Sequence, residues 1–302
     1  MEVKLKNFKL IEVASSNTTR DTIQYGVRMI GAQSQWKETK GANIKIAVVD
    51  TGIDFNHPDL KDRIKGGVNF TTNNLNDYMD INGHGTHCAG VIAASINKTG
   101  IVGVAPEADL YAVKVLSDSG NGSIDWIIKG IDWCIANGIH IMSMSLGTNQ
   151  DSQAMRDAFV RAHQKGIIMI CAAGNDSQGD SVDTVDFPAR YTETISVAAI
   201  DARQGIGSFS SRGSEVEVSA AGVDVFSTYP NRKYAKLSGT SMATPHIAGA
   251  VALIQSKAMR RYGRYLTTEE VRLLLQMNSK DLGVNGKDNS FGYGAFSFDQ
   301  KL

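Results

Sequence analysis

The sequence predicts a single α/β domain with a mainly parallel sheet covered by helices on both faces. From residue 44 onward, apolar runs of strand length such as IKIAVV alternate with helical patterns such as IDWIIKGIDWCIANG. This alternation is typical of βαβ units. The chain has 302 residues, and no Pro-rich or Ser-rich linker divides it. We therefore expect one domain, although many domains are shorter.

The predicted elements follow one another without long gaps. In order they are IKIAVV, HCAGVIAASI, DLYAVKVL, IDWIIKGIDWCIANG, IHIMSMSL, AMRDAFVRAHQ, IIMICAAGN and ISVAAI, with a long helix from Met242 and a last helix over TTEEVRLLLQM. Open sheets of this kind form their sites beyond the carboxyl ends of the strands. Asp50 follows one predicted strand, Ser145-Leu146-Gly147 another and Asn175 a third. These residues are therefore candidates for a common site.

Residues 1–20 precede this pattern and are assigned to a separate N-terminal extension, with the domain proper at 21–302. They contain the strand-like NFKLIEV and then the polar SSNTTRD. A frayed terminus is the commonest state of such a segment. Phe8, Leu10, Ile11 and Val13 are too apolar for a purely solvated tail, which indicates a docked extension.

Charge and composition exclude several kinds of partner. Lys plus Arg and Asp plus Glu number 31 each, so no net field attracts nucleic acid or anionic lipid. No apolar run is long enough to span a membrane, and the start MEVKLKNFKLIEV is not a secretory signal, so a cytoplasmic location is expected. The three cysteines do not form a disulfide framework and are interpreted as buried thiols. Homo-oligomer formation stays open.

Three stretches carry the parts of a nucleophilic site. Ser241 lies in a Gly-Thr-Ser turn before a helix, where its hydroxyl is held clear of the backbone. N-capping would explain a lone serine equally well. The strand ending at Asp50 and the stretch around His84 and His87 add a carboxylate and a general base. The residues alone leave the choice between the two histidines open.

At these stretches the chain resembles the subtilisin family of serine peptidases, and most closely its intracellular members. The order Asp, His, Ser is that of subtilisin and differs from the order of lipase-type hydrolases. The resemblance implies a serine endopeptidase in which Asp50 orients His84, His84 is the general base and acid, and Ser241 attacks the carbonyl. It leaves His87 and His246 as packed, hydrogen-bonded residues. A secreted subtilisin without its signal and pro-region, and a non-catalytic peptide-binding module, are the alternatives.

The same resemblance implies an oxyanion donor and a peptide-binding cleft. Asn175 matches the residue whose amide binds the negative oxygen of the tetrahedral intermediate. The substrate, a peptide or protein, would lie as an extended strand between two edges of the cleft. Residues implied at those edges and beside them are Gly120, Asn121, Gly122, Ser145, Leu146, Gly147, Ala172 and Gly174.

Selectivity is predicted from a departure from the family pattern. The segment from Asn175 to Pro188 aligns without gaps, which places Asp186 at the base of the primary specificity pocket and Asp176 at its rim. An apolar substrate side chain would leave a carboxylate in this slot without a partner, whereas Lys or Arg would pair with it. We expect Lys or Arg before the scissile bond, unless Asp186 turns to solvent or meets Arg190.

A structural calcium site is also implied by the resemblance. Carboxylate, amide and backbone oxygens are the ligands that calcium prefers. The matching positions are Asp21, Asp59, Ser95, Asn97, Thr99 and Ile101; a solvated loop is the alternative. No His and Cys cluster suggests zinc.

The family resemblance gives the extension a role as well. Intracellular subtilisins carry a short extension whose apolar motif lies across the active site. That motif has a proline after Leu-Ile, where this chain has Glu12. The NFKLIEV stretch is therefore expected to occupy the substrate cleft as an added strand and to make the enzyme a zymogen.

Overall fold

A computed structural model of the chain describes residues 2–5, 8–15, 20–177 and 182–300. Its strands are β1 (Glu2–Lys4), β2 (Lys9–Ser15), β3 (Thr22–Ile23), β4 (Lys45–Asp50), β5 (Ile64–Asn69), β6 (Ile101–Val102), β7 (Asp109–Lys114), β8 (Asn121–Ser123), β9 (Ile141–Met144), β10 (Ile168–Ala172), β11 (Thr194–Ile200), β12 (Val216–Ala221), β13 (Val225–Tyr229), β14 (Lys233–Ser238), β15 (Ser279–Lys280) and β16 (Ala295–Phe296). Its helices are α1 (Tyr25–Met29), α2 (Ala32–Gln35), α3 (His84–Ala93), α4 (Ile124–Ala136), α5 (Gln153–Gln164), α6 (Thr240–Tyr262) and α7 (Thr268–Met277). The long helix thus begins slightly before Met242.

The largest sheet of the described chain has nine strands in the order β15-β16-β12-β11-β10-β9-β4-β7-β5. Neighbouring strands in it are parallel, apart from the antiparallel pair β15 and β16. Strand β10 is buried along its whole length, as expected of a parallel strand with both faces covered. The predicted α/β fold with a mainly parallel sheet is confirmed.

Apolar packing on the two faces explains why residues 46–49 of β4 are continuously hydrophobic. Successive side chains of a strand point to opposite faces. Ile46 and Val48 belong to a cluster that includes α3 and α6, whereas Ala47 and Val49 belong to a second cluster with α4 and α5. Helices therefore cover both faces of the sheet, as predicted. Among the described helices, none combines the length and apolar character needed to cross a membrane.

The carboxyl ends of three neighbouring strands form one edge of the fold. Strand β4 ends at Asp50, β9 ends directly before Ser145, and β10 ends shortly before Asn175. Because β4, β9 and β10 are parallel neighbours, these residues lie at the same end of the sheet, beyond the carboxyl ends of the strands. The amino end of α6 brings Ser241 to this end of the sheet.

Smaller sheets attach the N-terminal segment to the domain. β1 pairs with β8, β2 joins the β13 and β14 hairpin, and β3 pairs with β6. The described parts of the extension therefore form strands on existing backbone edges.

Candidate active site

A buried carboxylate and imidazole form the centre of the site. Nδ1 of His84 lies 2.8 Å from Oδ1 and 3.0 Å from Oδ2 of Asp50. Both side chains have no exposed surface. A carboxylate only accepts hydrogen bonds, so Nδ1 carries the proton and donates it to Asp50. Nε2 is then the acceptor atom, which is the tautomer that a general base needs.

Close packing of two backbones holds this pair together. Helix α3 begins at His84, and a Cβ on Gly85 would collide with the carbonyl oxygen of Gly52. Only glycine allows the first turn of α3 to lie so near the end of β4. Asp80, which no sequence motif indicates, has a buried carboxylate that accepts hydrogen bonds from Thr51 and from the backbone of Gly83. Asp80 therefore joins the loop after β4 to the start of α3.

Ser241 lies in the first turn of α6 and is 1% exposed. Its hydroxyl donates to the carbonyl oxygen of Ser145 at 3.4 Å. No described residue forms a hydrogen bond with Nε2 of His84. Ser241 and His84 are therefore not hydrogen-bonded to each other in this structure. Such bonds are often loose without substrate, and rotation about one side-chain torsion redirects the hydroxyl.

The amide of Asn175 is fixed next to the serine. Its Oδ1 accepts hydrogen bonds from the backbone N–H of Thr240 at 2.9 Å and from the Thr240 hydroxyl at 2.8 Å. Nδ2 lies beside Gly239, where an added Cβ would be 3.2 Å away. The two bonds orient Nδ2 toward the amino end of α6. Apart from its place directly before Ser241, nothing in the sequence indicates that Thr240 orients this amide.

His87, His246 and Cys88 are buried in the protein interior. Nε2 of His87 lies 3.0 Å from the carbonyl oxygen of Val225, and burial lowers the pKa of His87 to about 3. His246 lies 2.8 Å from the Met242 carbonyl through Nδ1, and burial lowers its pKa to about 4. Cys88 lies close to Asp50 and His84, and burial raises its pKa well above the ordinary value. The thiol is thus uncharged and a poor nucleophile.

Two glycine-containing edges hold an extended strand between them. Strand β1 is antiparallel to β8, with Val3 opposite Gly122. On the other side, Lys4 and Gly147 exchange two backbone hydrogen bonds of 3.3 Å. The Leu5 N–H donates to the Gly120 carbonyl at 2.9 Å. The predicted cleft therefore contains residues of the chain's own extension.

The extension then passes His84. The ring of Phe8 lies 4.9 Å from the ring of His84 between centroids. Strand β2 continues along β14, with Lys9 opposite Ser238 and Ser15 opposite Lys233. Glu2–Lys4, and not the NFKLIEV stretch, lies between the two glycine-containing edges. The stretch from Phe8 onward follows on the other side of His84, while residues 6, 7 and 16–19 lie outside the described residues.

Asp186 lies inside the protein and not in solvent. It is 3% exposed. A Cβ on Gly147 would be 3.0 Å from the Asp186 Cβ, and one on Gly174 would touch the carboxylate. Arg190 instead donates to Glu215 at 3.2 Å. The carboxylate is therefore placed between two predicted substrate-binding segments. Asp176 is exposed and lines an adjoining cavity with Lys4 and Gly147.

The predicted calcium ligands converge around one loop. Asp59 has no exposed surface and accepts a hydrogen bond of 3.0 Å from the Asn97 side chain. The backbone N–H of Ile101 donates to the same carboxylate at 3.0 Å. Asp21 accepts a bond of 3.1 Å from the Asn97 N–H. The Ser95 hydroxyl is buried and has no hydrogen-bond partner among the described residues. Thr99 lies in the same loop.

The chain is similar to known subtilases over most of its length. A family model described as the subtilase family matches residues 41–294. The "Intracellular serine protease" of Paenibacillus polymyxa is 47% identical over 269 residues, covering 88% of this chain and 82% of that protein. "Subtilisin DY" of Bacillus licheniformis is 44% identical over 274 residues, covering 90% and 95% respectively. The "Major intracellular serine protease" of Bacillus subtilis (strain 168) is 42% identical over 276 residues, covering 89% and 86%.

Proposed function

The chain belongs to the subtilase family and is a subtilisin-like serine endopeptidase, and we propose that Ser241, His84, Asp50 and Asn175 perform its reaction. The observation that carries this assignment is the buried pair of Asp50 and His84, with 2.8 Å between Oδ1 and Nδ1. In a site closed to water, the pair keeps Nε2 as a proton acceptor. Ser241 is the nucleophile that this acceptor serves.

Acylation begins when the Ser241 hydroxyl turns from the Ser145 carbonyl to Nε2 of His84. The oxygen attacks the substrate carbonyl carbon, and His84 takes the hydroxyl proton. The imidazolium is stabilised by the Asp50 carboxylate. His84 then gives the proton to the leaving amine as the C–N bond breaks, which leaves an ester on Ser241. Water attacks this ester and passes a proton to His84. His84 then returns the proton to the Ser241 oxygen as the ester C–O bond breaks, which releases the carboxylic acid and regenerates the free serine and the neutral imidazole.

Hydrogen-bond donors at the amino end of α6 stabilise the negative charge on the carbonyl oxygen of the tetrahedral intermediate. The Asn175 amide is held by Thr240, so it needs no rearrangement when the charge develops. The helix dipole adds a positive potential at the same place. In subtilisin itself, loss of the corresponding amide costs about 10² to 10³ in kcat.

A fluorophosphonate tests the nucleophile because it reacts only with an activated serine. The wild-type chain is expected to take one label, on Ser241, and Ser241→Ala is expected to take none. Ser145→Ala is the matched control, since Ser145 is another buried serine of the same site. This variant is expected to take the label on Ser241 as the wild type does. Labelling of Ser241→Ala at the wild-type rate would refute the assignment.

Substrate preference follows from Asp186. A buried carboxylate against Gly147 and Gly174 would attract Lys or Arg in the residue before the scissile bond. Matched peptides with Arg, Lys, Phe or Leu at that position should be cleaved in favour of the basic pair. Asp186→Gly should reverse the order, whereas Asp176→Asn at the exposed rim should change it little. An apolar preference in the wild type would contradict the proposal.

Residues 1–20 act as an inhibitory extension of a domain at 21–302, which makes the full chain a zymogen. Support comes from the strand that Glu2–Lys4 forms between the edges at Gly122 and Gly147. Extended peptides bind such edges by the same backbone hydrogen bonds. The extension and a substrate therefore compete for one place. The names of two relatives contain "intracellular", which supports a cytoplasmic location for this chain.

Calcium is proposed at the loop after α3. The orphaned Ser95 hydroxyl and the buried Asp59 carboxylate fit a hard cation, together with oxygens of Asn97, Thr99, Ile101 and Asp21. A bound ion stabilises the folded state by mass action. A chelator should lower the melting temperature of the wild type and have little effect on Asp59→Asn. An identical melting curve with and without chelator would exclude the site.

A further inference from the structure

Strand β14 leads directly to the nucleophile. It spans Lys233–Ser238, and the chain then passes through Gly239 and Thr240 to Ser241. One edge of β14 is covered by β13, and the other edge carries β2 of the extension. The edge under β2 therefore begins beside the reacting serine and runs away from it.

The extension crosses the site in one direction. Its first described residues lie between the edges at Gly122 and Gly147, Phe8 packs on His84, and β2 follows β14. The antiparallel register places Lys9 at the end near Ser241 and Ser15 at the far end. A substrate that follows this path would place residues after its scissile bond on β14.

We propose that Lys236 selects an acidic residue on the leaving-group side of protein substrates, where a substrate segment replaces β2 as the strand added to the edge of β14. This inference rests on the proposed function and extends it to a second part of the substrate. The occupant it requires is an extended substrate segment, for which β2 is the internal stand-in. Backbone pairing along an edge provides affinity, and side chains provide selectivity.

The positive charges along β14 favour an acidic residue in the bound substrate. Lys233 and Lys236 have accessible side chains, and the strand contains no Asp or Glu. Nζ of Lys236 lies 3.6 Å from Oε2 of Glu12 on β2, with side-chain exposures of 35% and 55%. Glu12 lies directly opposite Lys236 in the register. An acidic substrate residue on the same face would take the place of Glu12.

The expected preference is modest because the pair is exposed. Ion pairs of this kind change binding by about 2-fold to 5-fold at low salt and by less at high salt. The full chain serves for the measurement. Since the extension covers the cleft for every peptide alike, it cancels from the ratio of kcat/KM for two matched peptides.

The test uses peptides that are identical up to the scissile bond and carry Glu, Gln or Lys at each of several positions after it. One position should favour Glu over Lys by about 2-fold to 5-fold. Lys236→Glu should reverse the order at that position. Lys129→Glu, an equal charge change at an exposed site on α4, should leave the order unchanged.

Two results would overturn the inference. One is equal cleavage of the Glu and Lys peptides at every position, and the other is an unaltered order in Lys236→Glu. A short substrate with only a chromophore after the scissile bond distinguishes these results from a failure of the proposed function. Its hydrolysis should be equally Ser241-dependent in the wild type and in Lys236→Glu. If this substrate is not cleaved and Ser241 takes no fluorophosphonate, the proposed function fails and the inference fails with it.

Discussion

The two halves of the extension contact the enzyme in different ways. β1 lies between two backbone edges, and Val3 is 1% exposed. β2 has β14 as its neighbour on one edge, and it leaves Leu10 48% and Val13 44% exposed. Burial of apolar surface and pairing on two sides stabilise the first half, while pairing on one side stabilises the second. We therefore expect β1 to contribute most of the binding free energy between the extension and the cleft.

Val3→Asp should have the largest effect of a single substitution in the extension. A carboxylate buried without a basic partner costs more than about 1.4 kcal/mol, which converts to at least about a 10-fold rise in activity of the full chain on a small peptide. The matched control is Glu2→Ala, on the same strand with an exposed side chain. A rise in both variants, or in neither, would show that burial of Val3 does not hold the extension.

Phe8→Ala should have a smaller effect. The ring lies 4.9 Å from that of His84 and is partly buried, and such aromatic contacts contribute about 0.5 to 1.5 kcal/mol beyond area burial. Activity of the full chain should rise by about 2-fold to 12-fold. Phe8→Tyr, which keeps the ring, is the control. Unchanged activity in Phe8→Ala would mean that this contact does not limit access to His84.

Glu12→Gln should have the smallest effect. The ion pair with Lys236 is half-exposed, so its loss is worth less than about 1 kcal/mol. Activity should rise by less than about 5-fold, and the rise should vanish in high salt. A change as large as that of Val3→Asp would reverse the comparison between the two halves.

Much of the fold and site could be predicted from the sequence. Continuous apolar strands such as β10 predict a buried parallel sheet, and the stretches around Asp50 and Ser241 predict the residues at its edge. The register of the extension could not be predicted. Val3 is a single apolar residue between two charged ones, whereas NFKLIEV has the stronger hydrophobic pattern yet keeps much of it exposed.

The directions of individual side chains could not be predicted from the sequence either. The hydroxyl of Ser241 donates to the Ser145 carbonyl, because a rotatable torsion takes its direction from its neighbours. For the Asp186 side chain, the sequence left two alternatives to the base of the specificity pocket: an orientation toward solvent or an ion pair with Arg190. It lies instead against Gly147 and Gly174, since glycines leave the space that its carboxylate fills. Both outcomes depend on contacts between distant parts of the chain.

The proposed inhibition requires that the extension occupies the path of the substrate. The most direct test compares the full chain with a truncation that lacks residues 1–20, using one small peptide and counting active enzyme by fluorophosphonate titration of Ser241. Each active truncated molecule is expected to cleave the peptide at least about 10-fold faster, because the competing strand is gone. Equal rates per active site would contradict it.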